Sequence, residues 1–439
     1  LAARRPGSPL SAAEPEEAWV ARLGAEGDGI AERADGTRLY LPFVLPGERV
    51  RARPSMRRGD GFAATAEILE ASAERVAPPC PHFGACGGCA LQHWQDAPYL
   101  AWKSGLLTAA LRRAGYAVAV APIIATPPRA RRRMALAARR EGGAVRLGLH
   151  AAHDTMLVDL SDCAVLDPRL ARLIAPLRDL LGAVAALRRA GAVVANLLDS
   201  GPDLLLRTDA ELTAPDRVRL AEFARDHAVP RVSWARGEAP AETAAQLAPI
   251  AIRFGGIAVT PPPGAFLQAS ALGEAAIVAA VLAGLPERLP PRARVAELHA
   301  GCGTLTFPLA GRARVTAFEG DAAAAQALAE AAHRGGLAGR VEALRRDLAR
   351  QPLRPAELAP FAAVVLDPPH AGAAAQVAQI AASPIARVIY VGCNPATLAR
   401  DAAMLRAAGF GVVSALPIDQ FRWSARLESV VTFARADPA

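Results

Sequence analysis

Lysine is almost missing from this chain. Of its 50 basic residues only Lys103 is a lysine, and the rest are arginines. They face 42 acidic residues, for a formal net charge of +8 and an isoelectric point near 9.7. Such a surplus suits a polyanionic partner, and it equally suits ordinary solubility charge. The local block Arg129, Arg131, Arg132, Arg133, Arg139 and Arg140 moves the reading toward RNA. Long apolar runs are missing too. No stretch of about 18 uninterrupted apolar residues occurs, so no membrane-spanning helix is predicted. The mean hydropathy of +0.19 comes largely from alanine and is not membrane character. The segment Leu1 to Pro15 is polar and proline-bearing, without the apolar core of a secretory leader. A cytoplasmic protein is the expectation.

With 439 residues, the chain is too long for one ordinary core, so two or three domains are expected. Its 52% hydrophobic and 21% charged residues read as globular rather than disordered. Internal repeats are absent. Residues 16–73 carry short apolar runs (Val20, Leu23, Ile30, Leu39, Leu41, Val50) separated by turn signals at 27–29, 35–36, 46–47 and 59–61. That spacing predicts a small OB-like barrel. A cysteine- and glycine-rich loop spans 78–94, and Trp102, Leu106, Leu107 and Leu111 predict a helix over 98–114. From about 130 to 265 the pattern is mixed. Strands are predicted at Met134–Ala138 and Val145–Leu149, a helix at Leu166–Leu181, and a hairpin from Ala192–Leu198 and Leu204–Arg207. From about 275 strands and helices alternate strictly, which implies a parallel sheet wound on both faces. Three domains are therefore expected: a barrel at 16–75, a central α+β domain at 76–265, and an α/β Rossmann-like domain at 266–439.

In that last domain, chemistry-bearing residues fall at strand ends. Glu297-Leu298-His299-Ala300-Gly301-Cys302-Gly303-Thr304 follows the first strand. Its glycines let the backbone turn tightly and approach a ligand. The second strand ends at Glu319, a carboxylate that can accept two ribose hydroxyls. The third leads to Asp347, placed to meet an adenine amine. Together the three positions point to S-adenosylmethionine, against the plainer reading of βα turns with surface acids. Two further strands end in Asp367-Pro368-Pro369 and in Cys393-Asn394-Pro395, whose prolines stop the strand and present the preceding side chain. Carbon 5 of a pyrimidine is a poor nucleophile. A thiolate added at carbon 6 activates it, and a base must afterwards remove its proton. Cys393 is the candidate nucleophile and Glu428 the candidate base, although Glu428 alone would read as a solvated strand-end charge.

Cysteine is scarce, with six in all, yet Cys80, Cys86 and Cys89 lie within ten residues, with Cys163 downstream. Without a leader, metal binding or catalysis is likelier than disulfides. Four thiolates suit a 4Fe–4S cluster or zinc, and spacing leaves both open. His82 and His93 are rival ligands. The Cys-x3-Cys-x2-Cys pattern of radical enzymes is absent.

These motifs resemble the RNA 5-methyluridine (uracil-C5) methyltransferase family. Gly-Ala-Phe-Leu-Gln268 is similar to its Gly-x-Phe-x-Gln segment. Residues 390–401 are similar to its nucleophile motif, and Asp419-Gln-Phe421 followed by Leu-Glu428 to its base motif. The resemblance covers about residues 16–435, most closely the 23S ribosomal RNA branch, with transfer RNA as the alternative target. It implies a TRAM barrel, a 4Fe–4S cluster on Cys80, Cys86, Cys89 and Cys163, and a class I methyltransferase domain. It also implies Cys393 as nucleophile and Glu428 as proton acceptor. Gln268, His299, Thr304, Glu319, Asp347 and Asp367 would line the cofactor and uracil pocket. The barrel, the arginine block and Trp94 are candidate RNA contacts. The chain departs from the family at Ser270 (usually Asn), at His370 (often Arg), at His299 (often aromatic) and at Arg422-Trp423-Ser424 (usually Pro-His-Thr). Those departures keep a non-catalytic RNA-binding or assembly protein as a rival. A DNA cytosine methyltransferase is disfavoured, because its Pro-Cys and Glu-Asn-Val motifs are missing.

Overall fold

The computed structural model describes residues 14–152 and 154–435. Most of the polar N-terminal segment, residues 1–13, lies outside the described residues. The chain divides into two compact units. The first runs to Lys103 and includes His150–Met156 and Trp423–Arg426; the second holds the rest.

In the first unit, strands Glu16–Leu23, Gly29–Glu32, Arg38–Leu41, Arg49–Arg58 and Gly61–Glu70 close into a barrel. Its strand order is first, second, third, fifth, fourth. Alternate residues face inward, so Val20, Leu39, Leu41, Val50 and Ala52 form one core. The turns fall where the sequence signals put them, with Gly27, Gly36 and Gly47 at φ of 80–85°, a conformation glycine adopts without strain. Glu48 is fully buried and is held by the Arg75 guanidinium at 2.6 Å.

The second unit contains two large sheets. Seven strands run in the order Glu242–Gln246, Arg231–Arg236, Gly201–Thr208, Ala190–Leu198, Arg133–Glu141, Ala144–His150 and Leu157–Asp159. The helix expected over Leu166–Leu181 is two helices, Pro168–Ala171 and Ile174–Ala183. Pro176 explains the break. It lacks an N–H and its ring would clash with the carbonyl four residues back, so it is accommodated only in the first turn of a new helix. The helix Ala214–Asp226 was not anticipated, although Thr213 and Asp216 form its capping box.

The other sheet has eight strands: Val341–Arg345, Arg314–Glu319, Arg294–Leu298, Ala363–Leu366, Arg387–Gly392, Glu428–Arg435, Phe410–Asp419 and Ile124–Ala125. The first five are mutually parallel, and Glu428–Arg435 runs antiparallel between its neighbours. Both faces are covered. Val295, Val315, Val365 and Ile389 pack with Ile277, Leu309 and Leu328 on one side. Ala296, Val364, Val388 and Tyr390 pack with Leu107, Val377 and Leu398 on the other. Burial on both faces is why these strands read as continuous apolar runs. Strand order reverses between Arg294–Leu298 and Ala363–Leu366. The crevice beyond the carboxyl ends at such a reversal is where open α/β sheets bind ligands. No described helix is long and apolar enough to cross a membrane.

Candidate active site

The site is built at that sheet edge. The first strand leads into His299 in a left-handed conformation, φ 64°. Gly301 follows at φ 55°, with open space where a side chain would be, and Gly303 at φ 100°, close against the Phe307 ring. The Gly301 N–H donates to Glu319 Oε2 at 2.7 Å, and the Asp321 N–H donates to Oε1 at 2.8 Å. Glu319 thus fixes the loop while both oxygens keep lone pairs for a ligand. Half-buried His299 has its pKa lowered by burial, against the pull of Glu319 and Asp347. Thr304 is half-buried beside this loop, and Asp347 is exposed at the end of its strand. The glycine cradle and the acceptor-only carboxylate suit an adenosyl cofactor. Glu297, 2% exposed, has an oxygen without a hydrogen-bond partner, and burial pushes its pKa up to about 8.

At the neighbouring strand ends a second group assembles. Gln268 Nε2 donates to Asp367 Oδ2 at 2.9 Å. Gln420 Nε2 donates both to Gln268 Oε1 and to Glu428 Oε2, each at 2.7 Å. Gln420 Oε1 accepts from the Ala269 N–H at 3.0 Å. Glu428 is 2% exposed and its Oε1 has no partner. Burial, then the charge of Asp367, pushes its pKa up to about 8; burial lifts Asp367 to about 7. The solvated strand-end reading of Glu428 is therefore wrong.

The candidate nucleophile and the candidate base adjoin one antiparallel ladder. Gly392 pairs with Ser429 in the antiparallel ladder, and the Ser429 hydroxyl donates to the Gly392 carbonyl at 3.0 Å. Cys393 follows Gly392 and Glu428 precedes Ser429, so both candidates adjoin the last pair of that ladder. Cys393 is half-buried. Asn394 caps the following helix through the Ala396 N–H at 3.0 Å and donates to the His370 carbonyl at 3.1 Å. Because that bond uses the backbone of residue 370, it is indifferent to the His370 departure. Cys302, by contrast, is buried, and its thiol is pushed up to about 12. It is a core residue.

The other candidates divide. Ser270, the first departure, caps the helix Ala271–Gly284 by accepting from the Gly273 N–H at 3.0 Å. Trp423 works as an anchor: it is 5% exposed, its carbonyl accepts the Ala90 and Leu91 N–H groups, and its N–H donates to Tyr99 Oη at 2.7 Å. Lys103, fully buried, donates to the Arg426 carbonyl at 2.5 Å. Trp94 is buried and bonded to Glu74 at 2.8 Å, which removes it as an RNA contact. Much of the arginine block is structural. Arg140 donates to the carbonyls of Leu187 and Leu181. Arg132 is buried between the Gln268 carbonyl and Glu274. Arg133 donates to the Leu267 carbonyl and lies 4.4 Å from the centroid of the Phe266 ring, which is 63% exposed. Two of the block pair at the surface, Arg129 with Asp162 at 2.7 Å and Arg139, more loosely, with Glu141 at 3.9 Å. Cys80, Cys86, Cys89 and Cys163 are half-buried thiols outside any disulfide. Among the described residues, no three His, Cys, Asp or Glu side chains are gathered in a metal-binding arrangement. His93 is buried against Phe83 and neither ring nitrogen has a hydrogen-bond partner.

Sequence reasoning missed Gln420, whose position between Asp419 and Phe421 in the base motif was its only signal. It also missed the Arg132–Glu274 pair, which no local pattern marks.

Comparison with known proteins agrees with this geometry. Residues 343–436 match the family model for tRNA (uracil-5-)-methyltransferases, and 285–387 match the family described as conserved hypothetical protein 95. The chain is 39% identical over 427 residues to an uncharacterized RNA methyltransferase of Brucella suis biovar 1 (strain 1330), spanning 97% of this chain and 99% of that one. It is 36% identical to a 23S rRNA (uracil(1939)-C(5))-methyltransferase of Chromohalobacter salexigens, over 95% of this chain and 89% of that protein. The fold matches the Pyrococcus abyssi tRNA (uracil-54, C5)-methyltransferase, solved with S-adenosyl-L-homocysteine, at a TM-score of 0.70 and 18% identity, covering 95% and 100% of the two chains. The chain belongs to the RNA uracil-C5 methyltransferase family.

Proposed function

We propose that this enzyme methylates carbon 5 of a uridine in 23S ribosomal RNA through a covalent adduct between Cys393 and carbon 6 of the base. The observation that supports the reading is the ladder that ends at the Gly392–Ser429 pair, with Cys393 next on one strand and Glu428 next on the other. The Cys393 thiolate adds to carbon 6 and makes carbon 5 nucleophilic. Gln268, His299, Thr304, Glu319, Asp347 and Asp367 would hold S-adenosylmethionine, which would supply an electrophilic methyl for that carbon and leave as S-adenosyl-L-homocysteine. Glu428 then takes the proton from carbon 5; the double bond re-forms and the carbon–sulfur bond breaks, returning its electron pair to Cys393. A base stacked in a duplex is out of reach, so the uridine is flipped or already unpaired. The exposed Phe266, backed by Arg133, offers it a stacking surface.

The ribosomal target rests on the Chromohalobacter relative, which at 36% identity stands nearer than the transfer RNA enzyme at 18%. The barrel, read as a TRAM domain, is proposed to bind RNA backbone. Cys80, Cys86 and Cys89, with Cys163 as the fourth ligand expected from sequence, are proposed to hold a 4Fe–4S cluster. No catalytic step is assigned to it. Iron and acid-labile sulfide at about four each per chain are expected in anaerobically purified protein; stoichiometric zinc instead would refute the cluster. The target is tested by mapping 5-methyluridine in total RNA from a deletion strain. Loss from 23S RNA supports the reading, and loss from transfer RNA alone overturns it.

A further inference from the structure

Gln420 is tied to more of the site than any other side chain there, and the mechanism above does not use it. Its amide orientation is fixed by elimination. The Ala269 N–H can only donate, so the Gln420 atom 3.0 Å away is the oxygen. The Gln420 NH2 therefore faces Gln268 Oε1 and Glu428 Oε2. Gln268 must in turn present its NH2 to Asp367 Oδ2. The direction of the whole chain follows from one backbone amide. Each carboxyl is thus held as an acceptor through one oxygen, Oδ2 of Asp367 and Oε2 of Glu428. On Glu428, Oε2 already accepts a hydrogen bond, whereas Oε1 is buried and without a partner.

We propose that Gln420 is a positioning residue that occupies Oε2 of Glu428 and so directs the carbon 5 proton to Oε1. The inference rests on the reading of Glu428 as the base. The carbon 5–hydrogen bond breaks into the re-forming carbon 5–carbon 6 double bond, the carbon 6–sulfur pair returns to Cys393, and the proton ends on Oε1. Gln420→Met keeps side-chain length and removes both donors, so Glu428 is free to rotate. Gly273→Ala presses on the same group sterically, because a Cβ there would lie 2.8 Å from Gln420 Cβ and 3.0 Å from its Oε1, with the Ser270 Oγ at 2.9 Å.

The test uses the full-length enzyme, labelled cofactor and RNA tritiated at uridine carbon 5. Trapped methylated protein–RNA adduct, tritium release and cofactor affinity are measured together, with Glu428→Gln in parallel. In Gln420→Met, tritium release should slow by about ten-fold or more while adduct accumulates and cofactor affinity holds. Gly273→Ala should move the same ratio in the same direction. A merely structural role would lower adduct formation and cofactor binding together, and that result overturns the proposal. So does release at the wild-type rate in Gln420→Met while Glu428→Gln traps the adduct. If Glu428→Gln itself turns over normally, the base reading falls and this proposal falls with it.

Discussion

Two clusters of charge lie buried or half-buried in the second unit, and they meet burial in different ways. The arginines are compensated: Arg132 has Glu274 and a carbonyl, Arg133 a carbonyl and an aromatic face, and Arg140 a set of carbonyls. The carboxyls at the sheet edge are not. Glu297 and Glu428 each keep an oxygen with no partner, and Asp367 has only an amide. An unpaired buried charge is costly, and that cost raises the carboxyl's affinity for a proton. Satisfied charge serves the structure, whereas unsatisfied charge in a crevice makes a group a candidate for function. In the sequence, Glu428 reads as the candidate base and the arginine block as a candidate RNA contact; the structure gives much of that block internal partners instead.

The largest test removes the reacting groups. Cys393→Ala should bind RNA and cofactor yet lose methyl transfer by about 10⁴-fold or more, measured as label entering RNA. Retained methylation would reassign the nucleophile. Glu428→Gln should permit addition and methylation but not proton removal, leaving a methylated protein–RNA complex that survives denaturing electrophoresis. Normal turnover there would pass the base role to Asp367.

The arginines should respond in stability instead. Arg132→Leu strands Glu274 in a buried site, a loss of about 3–5 kcal/mol in other buried pairs. Arg140→Ala orphans several carbonyls at about 1–3 kcal/mol. Denaturant titration checks both. Neither should change the slope of RNA affinity against salt concentration, because neither guanidinium faces phosphate. A flattened slope would return these residues to the RNA surface.

The carboxyls predict a pH dependence of stability. Glu297, lifted by burial from its ordinary 4.5 to about 8, keeps a proton in the fold that the unfolded chain releases. The fold binds more protons between those values, so its stability is greatest below the lower one and is lost as pH rises through the upper. Glu297→Gln should remove that slope, raising Tm at pH 9 relative to wild type and changing it little at pH 5. A parallel offset at both pH values would show that Glu297 contributes by packing alone.

What was legible in the sequence follows from period and punctuation. Strand–helix alternation after 275 announced the wound sheet, and glycine turns announced the barrel. The strand ends carrying Glu319, Asp367 and Cys393 were placed because proline and glycine stop strands locally. What escaped has non-local causes. The two-residue strand Ile124–Ala125 exists only by pairing with Ile418 and Asp419. The Gln268–Gln420 bond joins residues 152 positions apart. Burial of Glu428 depends on neighbours that no window of its own sequence contains.

The smallest effect asks whether a departure from the family is chemical or only local. Ser270, where the family usually has Asn, lies two residues from Gln268 in sequence. Its hydroxyl, however, accepts the Gly273 N–H and begins the helix Ala271–Gly284. Serine and asparagine are nearly equal as helix caps, because each offers a short side-chain oxygen to an otherwise unpaired amide. Ser270→Asn should therefore leave unfolding free energy unchanged within a few tenths of a kcal/mol, and Ser270→Ala should cost about 1 kcal/mol. Both should preserve cofactor affinity, since the bond made here belongs to the helix. Equilibrium unfolding with cofactor titration separates the cases: if Ser270→Ala weakens cofactor binding while stability holds, residue 270 belongs to the pocket after all.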